Sequence, residues 1–342
     1  MKAAAINAHG SLDQVQLLDV DTPAPARGEV LLQVKAAALN HLDIWVTKGR
    51  PGLALEFPHV IGSDAAGTVV ALGEGVDEVE VGDEVILNPG LFCGACEFCR
   101  RGEQSECTQC GILGLSRWGA FAEQTAVRAE NLCLKPAHLS FEEAAALPLA
   151  HLTAWRMLMS RAQLRPGETV LIHGIGGGVA LAALQFASRV GAEVIVTSSC
   201  AGKLDRARDL GAQHTVNYRA EDVAQAVLKH TGGRGVDVIV DAVGAATMAT
   251  NLAVARKGGR IVHCGVTTGA QAEINLSALY WKQLSVLGST MGSQQDFRQM
   301  VAFVGITGLK PVIDRVYPLG QAREALERMN AGEQFGKIVL TP

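Results

Sequence analysis

Four cysteines towards the end of the first third of the chain have the spacing of a metal site. They are Cys93, Cys96, Cys99 and Cys107. Zinc prefers soft anionic ligands, and four thiolates complete its tetrahedral coordination and leave no position open for a substrate. The spacing therefore predicts a structural zinc ion that fastens a loop and takes no part in a reaction.

Two other interpretations of these cysteines stay open at this point. Cys110 follows Cys107 by three residues and competes for the fourth ligand position, and the thiols can also be reduced and free of metal. A disulfide framework is less expected, because the chain is long, is poor in cysteine outside this segment and begins without a secretory leader. These features favour a reducing cytosol, so we expect a cytoplasmic protein.

A glycine-rich segment in the second half has the chemistry of a dinucleotide site. The apolar run Thr169–His173 leads into Gly174-Ile-Gly-Gly-Gly178, and a helical segment follows. Glycines at a strand-to-helix turn let the backbone approach a pyrophosphate, while the helix N-terminus supplies amide donors. Ala180 stands where a last glycine is usual and is small enough for the same close packing. We expect the pyrophosphate to be bound by Gly176, Gly177, Gly178 and Val179.

The residues after the next strand decide between the two nicotinamide dinucleotides. An acidic residue there binds the ribose 2′-hydroxyl of NAD, but this segment has no acid before Asp205. Ser198, Ser199 and Lys203 instead offer two hydroxyl groups and a cation, which suit a 2′-phosphate. We therefore predict NADP(H), with NAD(H) less favoured. The alternative is that Lys203 is only a solvated residue in the first turn of a helix.

Length and charge restrict the classes of protein to consider. A chain of 342 residues predicts two domains. The net charge of -4 argues against a nucleic-acid or anionic-membrane surface. The uncharged stretch 170–187 is long enough for a membrane span, but its glycine cluster predicts a strand, a turn and a buried helix instead.

The first third of the chain has the pattern of β-strands. Alternating apolar and polar residues, separated by glycine and aspartate, predict four strands, at Val30–Lys35, Gly67–Leu72, Asp83–Leu87 and Gly119–Ala126. Short strands punctuated in this way indicate a compact, barrel-like antiparallel domain.

The pattern changes near Ser140, which with Glu143 predicts a capping box at the start of a helix. Strands then alternate with helical segments such as Lys203–Leu210 and Ala220–Lys229. The predicted strands are Thr169–His173, Glu193–Thr197, His214–Asn217, Val236–Asp241 and Arg260–Gly265. This alternation indicates βαβ units and therefore a parallel sheet with helices on both faces.

Together, the four-cysteine lobe, the barrel-like first part and the glycine turn resemble the medium-chain dehydrogenase/reductase superfamily over essentially the whole chain. The most similar branch contains zinc-type alcohol dehydrogenases and quinone oxidoreductases. The resemblance implies an α/β architecture with a GroES-like β-barrel catalytic domain and a Rossmann domain, which is a doubly wound parallel sheet that binds NADP(H). The implied boundaries are 1–150 and 291–342 for the catalytic domain, 90–110 for its zinc lobe, and 151–290 for the Rossmann domain.

The family's motifs assign further residues. Its structural-zinc pattern, Cys-x-x-Cys-x-x-Cys-x(7)-Cys, selects Cys107 over Cys110 as the fourth ligand. In its NADP(H)-using quinone reductases, a lysine after the second strand and a tyrosine after the third approach the phosphate, and Lys203 and Tyr218 stand at the matching positions. The remaining residues that we expect to bind the cofactor are Thr153, at the position that contacts the nicotinamide amide, and Lys337.

The departures from the family pattern concern the catalytic metal. Zinc alcohol dehydrogenases have Cys-x-Thr/Ser-Asp where this chain has Asn40-His-Leu-Asp43, and Gly-His-Glu where it has Gly62-Ser-Asp64. Their third ligand, a cysteine, falls near Leu149. The usual ligands are therefore missing, and we expect no catalytic zinc. The alternative is an atypical site built from His41, His59, Asp64 or His151.

These features predict an NADPH-dependent reductase of quinones or of carbon–carbon double bonds conjugated to a carbonyl, with zinc in a structural role only. We expect Asn40 to donate to the substrate carbonyl, Asp43 to fix the local backbone or the cofactor ribose, and Trp45, with Trp118, to form a flat apolar wall. The alternatives are a zinc-dependent alcohol dehydrogenase with an atypical metal site and a cofactor-binding relative without activity.

The expected partners follow from the same resemblance. We predict a small-molecule carbonyl, enone or quinone substrate, with no nucleic acid and no membrane. The segment Gln283–Thr290 reads as a strand at the edge of the sheet. An exposed apolar edge invites a second copy, so we expect a homodimer or homotetramer, as is usual in this superfamily.

Overall fold

The computed structural model describes residues 1–49 and 52–342 and divides into two compact units. Unit 1 comprises Met1–Leu152 and Gly292–Pro342, and unit 2 comprises Thr153–Met291. The boundaries expected from the sequence, after residues 150 and 290, lie close to these. No helix among the described residues is both long and apolar enough to cross a membrane.

The strands are β1 Lys2–Ile6, β2 Val15–Asp19, β3 Glu29–Ala38, β4 His59–Val60, β5 Asp64–Leu72, β6 Glu84–Leu87, β7 Gly90–Leu91, β8 Gly111–Ile112, β9 Gln124–Arg128, β10 Leu132–Leu134, β11 Thr169–Ile172, β12 Glu193–Ser198, β13 His214–Asn217, β14 Val236–Asp241, β15 Ala255–His263, β16 Ser285–Gly288, β17 Ile313–Pro318 and β18 Lys337–Thr341. The α-helices are α1 His41–Lys48, α2 Glu97–Arg100, α3 Phe141–Ala145, α4 Pro148–Trp155, α5 Gly178–Val190, α6 Ala201–Asp209, α7 Val223–His230, α8 Ala245–Val254, α9 Leu276–Trp281, α10 Gln294–Thr307 and α11 Ala322–Asn330.

Strand β3 organises unit 1. It pairs antiparallel with β5, β9 and β18, within a sheet whose order is β10-β6-β5-β3-β18-β17. Its residues Val30, Leu32 and Val34 are buried, so the alternation seen in the sequence becomes the inward face of the sheet. A second sheet has the order β2-β1-β4.

The predicted strand at Gly119–Ala126 is only partly regular. Gly119, Ala120 and Phe121 do donate hydrogen bonds to the 60–62 backbone, but the ladder of β9 begins only at Gln124. A Cβ atom on Gly119 would lie 2.2 Å from the carbonyl oxygen of Gly62. This close approach of two backbones leaves no room for a side chain at position 119, which the alternation pattern does not reveal.

Unit 2 contains a six-stranded parallel sheet with the order β13-β12-β11-β14-β15-β16. The chain starts in the middle of this sheet at β11, winds outward through β12 and β13, and then crosses back to β14, which is the order of dinucleotide-binding sheets. The α/β fold class predicted from the sequence is confirmed. The uncharged stretch 170–187 falls on β11, a glycine turn and α5, as predicted.

Helix ends follow the local signals in the sequence. The Ser140 hydroxyl accepts from the Glu143 backbone N–H, and the Glu143 carboxylate accepts from the Ser140 N–H, which is the predicted capping box. Helix α5 ends at Gly191, whose φ of 87° is easily reached only by glycine. Helix α7 begins later than predicted, because the Asp222 side chain caps it by accepting from the Gln225 N–H.

Candidate functional site

The four predicted zinc ligands come together in unit 1. The Sγ atoms of Cys93, Cys96, Cys99 and Cys107 all lie within 4.8 Å of one another. A zinc ion with Zn–S distances of about 2.3 Å needs sulfur atoms about 3.8 Å apart. Cys93 Sγ lies 3.5 Å from Cys107 Sγ and 3.9 Å from Cys99 Sγ. The donor atoms and their spacing therefore fit a closed tetrahedral zinc site.

Backbone amides favour the anionic form of Cys93 and Cys96 in this cluster, whereas burial raises the pKa of Cys99 to about 12. The N–H of Cys99, in the first turn of α2, donates to Cys96 Sγ at 3.5 Å. This contact, followed by one from the Thr108 amide, lowers the pKa of Cys96 to about 6. Amide donors that stabilise a thiolate also favour the charged form that zinc binds.

The structure distinguishes between the two candidates for the fourth thiol. Cys107 is 6% exposed and lies within the cluster. Cys110 is exposed, and its thiol faces the carbonyl oxygen of Gly111 instead. The geometry therefore favours Cys107 as the ligand.

A buried polar network fills the region where a zinc alcohol dehydrogenase would carry its catalytic ligands. Lys337, which is 4% exposed, donates from Nζ to Leu39 O at 2.7 Å, Asn40 Oδ1 at 2.6 Å and Asp64 Oδ2 at 2.9 Å. A lysine ammonium has three N–H bonds, and these acceptors take all of them. We expected Lys337 to bind the cofactor, and the structure contradicts this, because no N–H bond remains for a ligand.

The same network fixes the orientation of the Asn40 amide. Its oxygen faces the Lys337 ammonium, and its nitrogen donates to Asp64 Oδ2 at 2.9 Å. The other Asp64 oxygen accepts from the Leu149 backbone N–H at 2.9 Å. Because Asn40 Nδ2 carries two hydrogens, one N–H remains beyond the contact with Asp64. Asn40 is thus a donor held in place by a cation on one side and an anion on the other.

Asp43 lies at the start of α1 and is 1% exposed. Its Oδ2 accepts from the Asn40 backbone N–H at 2.7 Å, which is a contact with the local backbone, one of the two roles expected for it. Burial raises the pKa of this carboxyl to about 7, and the negative charge of Asp64 adds to the effect, while the Asn40 N–H and Lys337 oppose it.

The other residues that were expected in this region lie outside the hydrogen-bonded network of Lys337, Asn40 and Asp64. Trp45 is 45% exposed on α1, and Trp118 donates from its indole nitrogen to Pro58 O. His41 is exposed at the N-terminus of α1. His59 is buried, with Nε2 facing Gly114 O. Within residues 1–49 and 52–342, the four-cysteine cluster is the only grouping of three or more potential metal ligands.

The glycine turn of unit 2 has the shape of a pyrophosphate cradle. Gly176 has a φ of 121°, and a Cβ atom on it would lie 2.9 Å from Lys203 Cδ and 3.4 Å from Lys203 Nζ. No side chain caps the N-terminus of α5 at Gly177, so amide donors of the first turn are available to an anion. Gly178 and Val179 begin this helix. The predicted glycines and Lys203 are therefore neighbours, and the turn fits a nucleotide phosphate.

The other predicted cofactor residues lie at the ends of neighbouring elements. Ser198 ends β12, and its hydroxyl accepts from the Cys200 N–H, while its carbonyl oxygen accepts from the Tyr218 N–H at 3.2 Å. The Tyr218 side chain, just after β13, is 51% exposed, and Ser199 is partly exposed. Thr153 is buried in α4.

Several buried polar residues of unit 2 are not predicted from the sequence, and neither is the role of Lys337. His173, Thr197, Asp241 and Asn251 form one hydrogen-bonded network next to the glycine turn. A signal was available, because histidine, aspartate and lysine interrupt otherwise apolar strand sequences. Their partners lie far away along the chain, so the pattern alone does not identify them.

Comparisons with known proteins agree with this architecture. Residues 26–137 match a family described as the alcohol dehydrogenase GroES-like domain, and residues 178–305 match one described as zinc-binding dehydrogenase. A zinc-type alcohol dehydrogenase-like protein of Schizosaccharomyces pombe is 37% identical over 336 residues, which cover 96% of this chain and 95% of that protein.

Solved structures give the same result. The crystal structure of an NAD-dependent alcohol dehydrogenase is 43% identical, with a TM-score of 0.96 and full coverage of both chains. A crotonyl-CoA carboxylase/reductase in complex with NADP is 25% identical, with a TM-score of 0.94 over 100% of this chain and 94% of that one.

Proposed function

This chain belongs to the medium-chain dehydrogenase/reductase superfamily, and from that premise we propose that it is an NADPH-dependent reductase of quinones or α,β-unsaturated carbonyl compounds, with zinc in a structural role only. Membership makes it an oxidoreductase of a family that uses nicotinamide cofactors and zinc. The finer proposal is carried by one observation, which is the buried network of Lys337, Asp64 and Asn40.

This network argues against a catalytic zinc by its chemistry. Asn40 and Leu149 stand where thiolate ligands are expected, and Ser63 stands where an imidazole is expected. The remaining acid, Asp64, is fully buried and already accepts from three donors, one of which is a lysine ammonium at 2.9 Å. A divalent cation on the same carboxylate would be close to that ammonium and would be repelled by it.

The remaining N–H of Asn40 supplies the polar contact that such a reductase requires. When bound, the reduced nicotinamide supplies the hydride. Negative charge then develops on the substrate oxygen, and a donor that is already oriented stabilises this charge without having to reorganise. Lys337 and Asp64 act as positioning residues, since they hold the Asn40 amide but have no free group of their own. Trp45, exposed on α1 just after Asn40, offers a flat surface for a planar substrate.

The preference for NADPH is supported by the residues around the glycine turn. The Lys203 ammonium lies against Gly176, and Ser199 and Tyr218 follow the ends of β12 and β13. At this edge of such a sheet, an acid selects NAD and a cation accommodates the 2′-phosphate. A solved relative was obtained with NADP, which agrees with this choice, whereas another is named as NAD-dependent.

The second candidate function is a zinc-dependent alcohol dehydrogenase. It is favoured by the names of relatives, since both the Schizosaccharomyces pombe protein and the structure at 43% identity are called alcohol dehydrogenases. It requires a second metal site built from residues other than the usual ligands.

Metal content and substrate screening together test the proposal. We expect purified protein to carry one zinc per chain, to oxidise NADPH with quinones or enones, and to keep this activity after brief exposure to a chelator that leaves the four-cysteine zinc in place. Two zinc ions per chain, together with alcohol oxidation that the chelator abolishes, would establish the second candidate instead.

A further inference from the structure

A chain of buried hydrogen bonds joins three neighbouring strands of unit 2. His173 follows β11, Thr197 belongs to β12, Asp241 ends β14, and Asn251 on α8 lies among them. All four residues are at most 5% exposed. Strands β11 and β14 are adjacent, and the winding of the sheet reverses between them. Dinucleotides bind at the carboxyl ends of the strands at such a reversal.

The charge of Asp241 sets the direction of every bond in this chain. A carboxylate only accepts, so Asn251 must donate to Asp241 Oδ2 from its amide nitrogen. The Asn251 oxygen then faces His173 Nε2 at 2.8 Å, which places the imidazole proton on Nε2. Burial lowers the pKa of His173, which favours the neutral ring, while Asp241 and Asn251 oppose this effect. Its Nδ1 therefore accepts from the Thr197 hydroxyl at 3.2 Å.

Thr197 connects this network to the glycine turn by hydrogen bonds. Its hydroxyl oxygen accepts from the Gly174 N–H at 3.3 Å, and its carbonyl oxygen accepts from the Ile175 N–H at 2.9 Å. The first two amides of the turn are thereby used within the protein. The Gly177 N–H donates to Gly174 O at 3.5 Å, so the amides of Gly178 and Val179, at the uncapped N-terminus of α5, are the ones left for an anion.

Asp241 also fixes the loop that follows β14. Its Oδ1 accepts from the Val243 N–H at 2.6 Å and the Gly244 N–H at 3.2 Å. Gly244 has a φ of 103°, and a Cβ atom there would lie 2.8 Å from Gly269 O. One buried carboxylate thus holds the loop after β14 directly and the turn after β11 through three intermediates.

We propose that the Asp241–Asn251–His173–Thr197 network positions the glycine turn for the pyrophosphate that NADH and NADPH share, with Thr197 as the positioning residue next to the turn. The proposal rests on the proposed function, because it requires a nicotinamide dinucleotide as the ligand. It differs from the Lys203 contact, which concerns only the 2′-phosphate.

The test compares three variants by direct measurement of NADH and NADPH binding, using nicotinamide fluorescence. Thr197→Val keeps the shape and removes the hydroxyl, so we expect Kd to rise about tenfold for both cofactors, the size of one lost hydrogen bond. Thr197→Ser keeps the hydroxyl and should rescue binding. Thr169→Val is the matched control, since its hydroxyl lies at the other end of the sheet, against Glu193, in a residue that is 6% exposed. It should lower the melting temperature without changing Kd.

Several results would overturn the proposal. These are an unchanged Kd in Thr197→Val, an equal loss in Thr169→Val, or a loss for NADPH alone. If the unaltered protein binds neither nucleotide, the proposed function itself fails.

Hydrogen exchange of the unaltered protein gives a second measurement that needs no variant. We expect the amides of Gly174 and Ile175 to be protected without cofactor and those of Gly178 and Val179 to become protected only with it. Rapid exchange at Gly174 and Ile175 would contradict the network.

Discussion

The orientation of the Asn40 amide is decided by two full charges on either side of it. Lys337 faces the oxygen and Asp64 faces the nitrogen, and both are almost completely buried. These contacts are strong because little water is present. A flipped amide would place its oxygen against the Asp64 carboxylate and its nitrogen against the Lys337 ammonium. A single side chain is thereby converted from a flexible amide into a fixed donor.

Asn40→Leu tests this donor. We expect kcat/KM with an enone or quinone to fall about a hundredfold, the usual effect of losing one donor to a developing oxyanion, while Kd for NADPH stays unchanged. Asn131→Leu is the control, since Asn131 is also buried in unit 1 but donates only to Asn88 O and Gly90 O. This control should lose stability, but it should not show a fall in kcat/KM at an unchanged Kd for NADPH. Full activity in Asn40→Leu would remove Asn40 from the mechanism.

Lys203→Glu tests the phosphate contact. Because the ammonium lies against the glycine turn, reversing its charge should weaken NADPH at least about tenfold and NADH only slightly. Lys229→Glu makes the same change at an exposed position on α7 and should leave both cofactors unaffected. Equal losses for NADH and NADPH in Lys203→Glu would mean that Lys203 does not read the 2′-phosphate.

Asp43 predicts a dependence of stability on pH. Its pKa is about 7 in the folded protein against 3.8 for the free side chain. Between these values the folded state holds a proton that the unfolded state has released, so this residue's contribution to stability is lost as the pH rises from 4 to 7. Asp43→Asn keeps an acceptor for the Asn40 N–H and cannot ionise. The difference between the urea midpoint of Asp43→Asn and that of the unaltered protein should therefore increase as the pH rises through this window. An exposed control, Asp77→Asn, should run parallel to the unaltered protein.

At the scale of elements, the four-cysteine lobe is too small to hold itself together. Its regular elements are the two-residue strands β7 and β8, the four-residue helix α2 and the three-residue 3₁₀-helix Gln104–Glu106. Elements this short have little intrinsic stability and bury little apolar area, so we expect four bonds to one zinc ion to contribute a large part of the folding free energy of the lobe.

Cys107→Ser should therefore remove the zinc and lower the melting temperature. Cys110→Ser is the matched control only three residues away, and it should keep one zinc per chain, because this thiol lies outside the cluster. Zinc per chain by mass spectrometry and thermal unfolding measure both effects. Loss of zinc from Cys110→Ser with retention in Cys107→Ser would reverse the assignment of the fourth ligand.

At the scale of the whole molecule, the parallel sheet ends in an edge with which no strand of residues 1–49 and 52–342 pairs. Strand β16 pairs with β15 and is the last strand of the sheet. Next to it along the chain, Tyr280 and Trp281 are 62% and 70% exposed. Unpaired strand edges beside large apolar side chains invite pairing with another copy, and a twofold arrangement would join two sheets edge to edge.

Light scattering should therefore report a dimer or tetramer. Val286→Lys places a charge on β16 and should dissociate that contact. Val316→Lys places the same charge on β17, which is an edge strand of the sheet that contains β3. Val316 is exposed to a similar degree, and this variant should leave the assembly intact. A monomer in the unaltered protein, or dissociation by Val316→Lys, would locate the interface elsewhere or remove it.

The sequence alone determined what depends on near neighbours along the chain. The cysteine spacing, the glycine turn after an apolar strand, the capping box at Ser140 and the strand–helix alternation each report a structure that forms within a few residues or repeats with a fixed period. These signals were sufficient for the α/β fold class and for the family, both of which are confirmed.

Only the tertiary structure decided how distant residues pair. Lys337 meets Asn40 across 297 positions, and His173 meets Asn251 across 78. No local period connects such residues, because their contact exists only after the sheets have brought the strands together. The burial of Cys107 and the exposure of Cys110 are likewise set by the tertiary structure, although the cysteine spacing of the family had already favoured Cys107. The proposed chemistry therefore depends on side-chain orientations that contacts between distant residues determine. The fold that carries these side chains is predicted by short-range patterns in the sequence.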